Sequence, residues 1–151
     1  MSRSLFAIVA SLAGALPVFV GCSTDSGPAV AGVITLADQP LAGARVVFEP
    51  LDKTSQLGGA MAVTDAAGSF SIEPHPQTGE TLKLGTYAVS VSRKVDGQGN
   101  VPPEGDYPQL EAAGQLRESV PMKYVYPPDG RPELTAIIKE GSNDLQFQLT
   151  Q

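Results

Sequence analysis

Only two residues of this chain carry an imidazole or a thiol: one histidine, His75, and one cysteine, Cys22. Any Ser-His-Asp relay would have to pass through His75, which stands between Pro74 and Pro76 in a stretch with no helix or strand periodicity. It reads as a solvated loop residue. Zinc requires three or four His, Cys or carboxylate ligands at close range, and one His with one Cys does not supply them. Calcium accepts oxygen ligands alone, and Asp96, Glu104, Asp106 and Asp129 lie in loops rich in Gly and Pro. Their spacing matches no EF-hand loop, so they read as solvated carboxylates. Gly97-Gln98-Gly99-Asn100 runs on into Val101-Pro102-Pro103, whereas a dinucleotide loop needs a strand before it and a helix after it. The expectation is a chain with no catalytic residues, no metal and no cofactor.

Cys22 invites a different chemistry. Arg3 gives a short positive start, Leu5 to Val20 is mostly apolar, and Phe19-Val20-Gly21-Cys22 follows. The stretch is short for a membrane-spanning helix, which needs about 20 apolar residues, and it reads as an export signal over residues 1–21. Its end resembles a bacterial lipobox, in which small residues before a cysteine allow cleavage once the thiol carries diacylglycerol. Gly21 and Cys22 fit that pattern; Phe19 departs from the usual Leu. Cys22 is therefore expected to be lipidated and to hold the protein on a membrane, each buried methylene adding about 0.8 kcal/mol to the anchor. Residues 22–28 form a short Ser/Thr/Gly/Pro tether. Ser23 directly after the cysteine resembles the outer-membrane rather than the inner-membrane sorting pattern.

Tyrosines are the remaining candidates. Tyr107, Tyr124 and Tyr126 lie in a segment over residues 95–132 that also holds seven of the 13 prolines. A loop of that length inside a compact domain is uncommon. It is expected either to lie over a sheet, pinned by these rings, or to offer them as a binding surface, since tyrosine joins apolar area to a polar tip. Leu110 to Leu116 is the one place in it where a helical turn is expected.

Around these residues the chain has a β composition. It carries 16 Gly and 13 Pro, its charged residues amount to 17%, and its net charge is −6. An acidic chain with no basic stripe is a poor nucleic-acid binder, because binding requires cations that displace counterions from phosphates. Alternating apolar residues mark seven strands: Val30 to Leu36, Arg45 to Leu51, Ala60 to Thr64, Ser69 to Glu73, Thr86 to Arg93, Glu133 to Lys139 and Asp144 to Thr150. Inward positions are Val30, Ile34 and Leu36; Val46 and Phe48; Met61 and Val63; Phe70 and Ile72; Tyr87, Val89 and Val91; Leu134, Ala136 and Ile138; and Leu145, Phe147 and Leu149. This patterning predicts an all-β domain over residues 29–151, a seven-stranded antiparallel β-sandwich of immunoglobulin-like or transthyretin-like type.

Three local patterns sharpen that expectation. Val33 to Phe48 reads strand, Pro40-Leu41-Ala42-Gly43-Ala44 turn, strand; Thr64-Asp65-Ala66-Ala67-Gly68-Ser69-Phe70 follows, and then Gly85-Thr86-Tyr87-Ala88-Val89. In the second, Asp65 can accept hydrogen bonds from the turn it begins and Gly68 can take a positive φ. The order resembles the carboxypeptidase regulatory-like domains, transthyretin-like sandwiches of bacterial envelope proteins. Pro121 to Tyr124, Glu133-Leu134-Thr135 and Gly141-Ser142-Asn143 extend the likeness towards the end of the chain. Transthyretin-like folds include a 5-hydroxyisourate hydrolase that relies on several His and Arg residues and a Tyr-Arg-Gly-Ser end. This chain has one His and ends Gln148-Leu149-Thr150-Gln151, so that activity is not implied. The resemblance implies fold and extracytoplasmic location far more than activity. The export signal and the lack of a convergent catalytic set lead to the expectation of a non-catalytic, lipid-anchored module that binds or supports another envelope component, such as an envelope protein, through loops or a sheet edge. The alternative is a carbohydrate-binding module that takes a glycan on its loop tyrosines.

Overall fold

The structure is a computed structural model that describes residues 27–75, 77–126 and 130–151. The export signal, Cys22 and Asp129 lie outside the described residues. The fold is all-β, and each of the seven segments expected to be extended is a strand. In chain order the strands are β1 (Ala29–Leu36), β2 (Gln39–Pro40), β3 (Arg45–Pro50), β4 (Ala60–Val63), β5 (Ser69–Ile72), β6 (Gly85–Ser92), β7 (Lys94–Val95), β8 (Arg117–Glu118), β9 (Leu134–Ile138) and β10 (Ser142–Leu149). One sheet runs β4-β3-β6-β9. In the other, β1 has β10 along one side, with β5 and β2 pairing its first and second halves on the opposite side. A small third pair joins β7 to β8.

Both large sheets feed one core. Phe48 of β3 meets Phe70 of β5 at 6.0 Å between ring centroids, and Phe70 stacks on Phe147 of β10 at 6.4 Å. Val30, Ile34, Val46, Tyr87, Val89, Val91, Ile138 and Leu149 fill the remaining space. The period-two alternation places these residues inward as expected, because successive side chains of a strand face opposite sides.

Three expectations are corrected. First, β10 runs parallel to β1, with Ala29 opposite Ser142 and Leu36 opposite Leu149, so the sheets are not wholly antiparallel. Alternation reports which face a residue takes and is blind to strand direction. The parallel entry is held by Asn143, whose side-chain amide donates to Lys139 O at 2.9 Å and Ala29 O at 3.3 Å while its Oδ1 accepts the Lys139 N–H at 2.9 Å.

Second, Met61 and Val63 are not core residues; they are 56% and 59% exposed. The register sets Ala60 opposite Phe48 and Ala62 opposite Val46, so the alanines share the inner face with those two buried residues.

Third, the described part of residues 95–132 carries more structure than the one helical turn expected at Leu110 to Leu116. β7 and β8 pair at the base, followed along the chain by α2 (Met122–Val125); between them lies α1 (Tyr107–Ala112), preceded by a single 3-10 turn at Glu104–Asp106. The helix begins before Leu110 because Pro108 sits in its first turn, where no N–H is needed. It ends at Gly114, φ +64°, where Gly114 N–H donates to Glu111 O and Gln115 N–H to Leu110 O, the two bonds of a Schellman stop.

Candidate functional site

His75 is fixed through its backbone. Its N–H donates to Glu80 O at 2.7 Å, and its Nδ1 accepts the Gln77 N–H at 3.3 Å. Among the described residues no three His, Cys, Asp or Glu side chains converge in a way that could hold a metal. Asp96 directs Oδ1 to its own turn, accepting the N–H groups of Gln98 at 2.9 Å and Asn100 at 2.8 Å. Asp65 does the same with Ala67 at 2.8 Å and Ser69 at 2.9 Å. The two loops share an Asp-x-x-Gly frame, with Gly68 at φ +74° and Gly99 at φ +89°.

The three candidate tyrosines are in three different situations. Tyr124 is 7% exposed and belongs to the core cluster. Burial alone would push its phenol up, but hydrogen bonds with Thr150 and the neighbouring Lys123 ammonium outweigh that and hold it below the usual tyrosine value. Tyr107 is half-buried and donates to Lys94 O at 3.4 Å. Tyr126 is 74% exposed, the only one of the three whose ring is broadly open to solvent. Lys94, whose ammonium pairs with Glu111 and is held above its ordinary value mainly by that hydrogen bond, stands near it.

At the base of this segment Glu118 organises the chain. One carboxylate oxygen accepts the N–H groups of Arg93 at 2.7 Å and of Ser119 and Val120 at 3.1 Å each; the other accepts the Ser92 hydroxyl at 2.7 Å. Arg93 in turn donates Nε to Ala42 O at 2.7 Å. Nothing in the dipeptide Arg117-Glu118 signals this role, since the partners it ties to its own turn, Ser92 and Arg93, lie 26 and 25 positions away in the chain.

A broad concavity lies elsewhere, where β4 and β5 part. The Asp65 turn joins them and the Asp65 N–H still reaches Ser69 O at 2.8 Å. Beyond that bond β4 follows β3 into one sheet and β5 follows β1 into the other. The result is an open groove of about 1100 Å³ running from the Asp65 turn to Gln56, His75 and Lys83.

Its walls are strand edges, and neighbouring hydrogen bonds show which backbone groups face it. Thr64 N–H donates to Ala44 O and Leu51 N–H to Thr86 O, so Ala60 and Ala62 point at β3 and the alternate residues Met61 and Val63 point away. Ile34 N–H donates to Gly68 O, so Phe70 and Ile72 point at β1 and Ser71 points away. Among the described residues no strand pairs with either outward edge. The lining carries three carboxylates, Asp65, Glu73 and Glu80, against one ammonium, Lys83, which lies 3.9 Å from Glu80.

Sequence reasoning missed this groove because it placed Met61 and Val63 inside. The signal available was the run Gly58-Gly59-Ala60-Met61-Ala62-Val63, a short strand without Pro or Lys. No protein-family model matches the chain, and no curated protein is significantly similar to it.

Proposed function

We propose that this chain is a lipid-anchored protein of the bacterial cell envelope, extracytoplasmic and more at home on the outer than the inner membrane, that binds or supports another envelope component without catalysis. Its domain is taken as a seven-stranded, transthyretin-like sandwich of the carboxypeptidase regulatory-like kind, a resemblance carried by local patterns alone. The observation that carries the binding role is the groove between the edges of β4 and β5 that pair with no strand among the described residues. Exposed edges are templates for pairing, and proteins normally blunt them with Lys, Pro or bulges; Ala60-Met61-Ala62-Val63 has no Lys or Pro. Gly27 packs against Thr81, which also lines the groove. Cys22 precedes Gly27 by five residues, a reach of at most about 18 Å, so acylation would hold the groove close to the bilayer.

The experiment is mass spectrometry of the protein extracted from bacterial membranes. A mature N-terminus at Cys22 bearing acyl chains, lost in Cys22→Ser, is the expected result. An N-terminus elsewhere with a free thiol ends the anchoring claim, and turnover abolished by a point substitution ends the non-catalytic one.

Glycan binding is the second reading, favoured by the open ring of Tyr126. Glycan-array binding lost in Tyr126→Ala would establish it; blank arrays would remove it.

A further inference from the structure

We propose that the β4–β5 groove is a strand-addition site that takes an extended, cationic peptide segment of a partner protein. The inference rests on the binding-module reading above and names its ligand class.

Backbone geometry comes first. Met61 and Val63 turn their N–H and C=O groups into the groove from one wall, and Ser71 does so from the other. A strand laid along β4 would meet two N–H and two C=O groups in antiparallel or parallel register, the main-chain contact that gives strand addition its affinity. The splay of the hairpin leaves about 1100 Å³ between the walls, and the bond between Asp65 N–H and Ser69 O closes one end. A peptide therefore enters from the His75 and Lys83 end and stops at the Asp65 turn. Exposed Met61 and Val63 give the added strand apolar neighbours on the outer face.

Charge selects the occupant. The lining holds Asp65, Glu73 and Glu80, and only Lys83 opposes them, already beside Glu80. The whole chain carries −6. A second copy would bring the same carboxylates against these and be repelled, whereas a segment bearing Lys or Arg is attracted.

The probe is a labelled octapeptide of alternating Lys and Val, compared with its Glu/Val counterpart, against the full chain purified in detergent. Anisotropy measures binding and hydrogen exchange reports the amides of β4. The Lys/Val peptide is expected to bind, to slow exchange at residues 61–63, and to weaken as salt screens the carboxylates. Val63→Pro removes an outward N–H while leaving the ladder to β3 intact, a position where an edge strand tolerates proline. It should weaken binding by about tenfold. Glu73→Gln with Glu80→Gln leaves the backbone untouched and should weaken it by about threefold or more.

Equal binding of the Glu/Val peptide, binding without slowed exchange in β4, unchanged affinity in Val63→Pro, or no binding overturns the proposal. Slowed exchange that grows with protein concentration alone assigns the edge to a second copy and overturns it too. Failure here with acylated Cys22 ends only strand addition; an unacylated Cys22 ends the anchored reading whatever the peptide does.

Discussion

Tyr124 and Thr150 are bonded twice: the phenol oxygen accepts the Thr150 N–H at 3.0 Å and lies 3.2 Å from the Thr150 hydroxyl. The contact ties α2 to the residue that follows the last strand, 26 positions along the chain. Lys123 reaches the same hydroxyl at 3.2 Å and sits 4.9 Å from the Tyr124 ring centroid.

This separates two neighbouring tyrosines. Tyr124→Ala removes a buried ring and its partners and is expected to lower stability by about 3 to 4 kcal/mol. Tyr126→Ala, at an exposed site, should stay within about 0.5 kcal/mol of wild type. Denaturant melts of the two variants give the comparison; equal losses would mean that both rings are buried in solution.

Two glycines at positive φ should behave differently on substitution. A Cβ at Gly68 would lie 2.5 Å from Ile34 O and 3.0 Å from Leu41 N, both backbone atoms. At Gly114, φ +64°, nothing lies within 4 Å. Gly114→Ala carries only the left-handed penalty, about 1 kcal/mol, while Gly68→Ala adds displacement of β1 and should exceed about 3 kcal/mol. Midpoints that fall equally would show that the Asp65 turn moves without resistance.

High pH should weaken the core through Tyr87. Its ring is fully buried, and burial pushes the phenol above its ordinary value, while its O–H donates to Lys83 O at 3.0 Å, a bond that only the neutral phenol can make. A folded value above the unfolded one means that the unfolded chain loses its proton first. The stability that depends on the neutral phenol is then present below pH 10 and lost as pH rises towards the folded value. Tyr87→Phe should therefore be less stable than wild type at pH 8 and close the gap above pH 10. Tyr124, whose shift is downward, acts in both proteins and cancels from the comparison.

Legibility in the sequence followed locality. Asp65 and Gly68 could be read because the turn is made by residues within four positions of each other, and the same holds for the inward rows of β6 and β10. Met61 and Val63 were misread because a four-residue strand of alternating large and small apolar residues offers two plausible faces. Only its register with Phe48 and Val46 chooses between them. The groove follows from that choice, so it was hidden with it. The direction of β10 is defined by its backbone ladder with β1, Ala29 opposite Ser142 through Leu36 opposite Leu149, a pairing of the two ends of the domain that no local pattern contains.

Glu118 provides the last test, because it decides whether residues 96–120 are held by polar contacts or only by the apolar docking of Val95, Val120 and Tyr124. Its carboxylate accepts three backbone N–H groups and a hydroxyl in a partly buried site, and hydrogen bonds to a charged group contribute about 1.5 to 3 kcal/mol each at best. In Glu118→Ala those donors lose a shared acceptor and regain water only if β7 and β8 separate. Separation would also free the Ser119 amide, which donates to Arg93 O at 2.9 Å. The expected result is a local opening: faster hydrogen exchange at residues 94–95 and 117–120, with β3 and β6 still protected, and a global loss of about 2 to 3 kcal/mol. Glu118→Gln keeps one acceptor oxygen and should lose about half as much. Unchanged exchange at β7 and β8 in Glu118→Ala would show that apolar docking alone holds the segment.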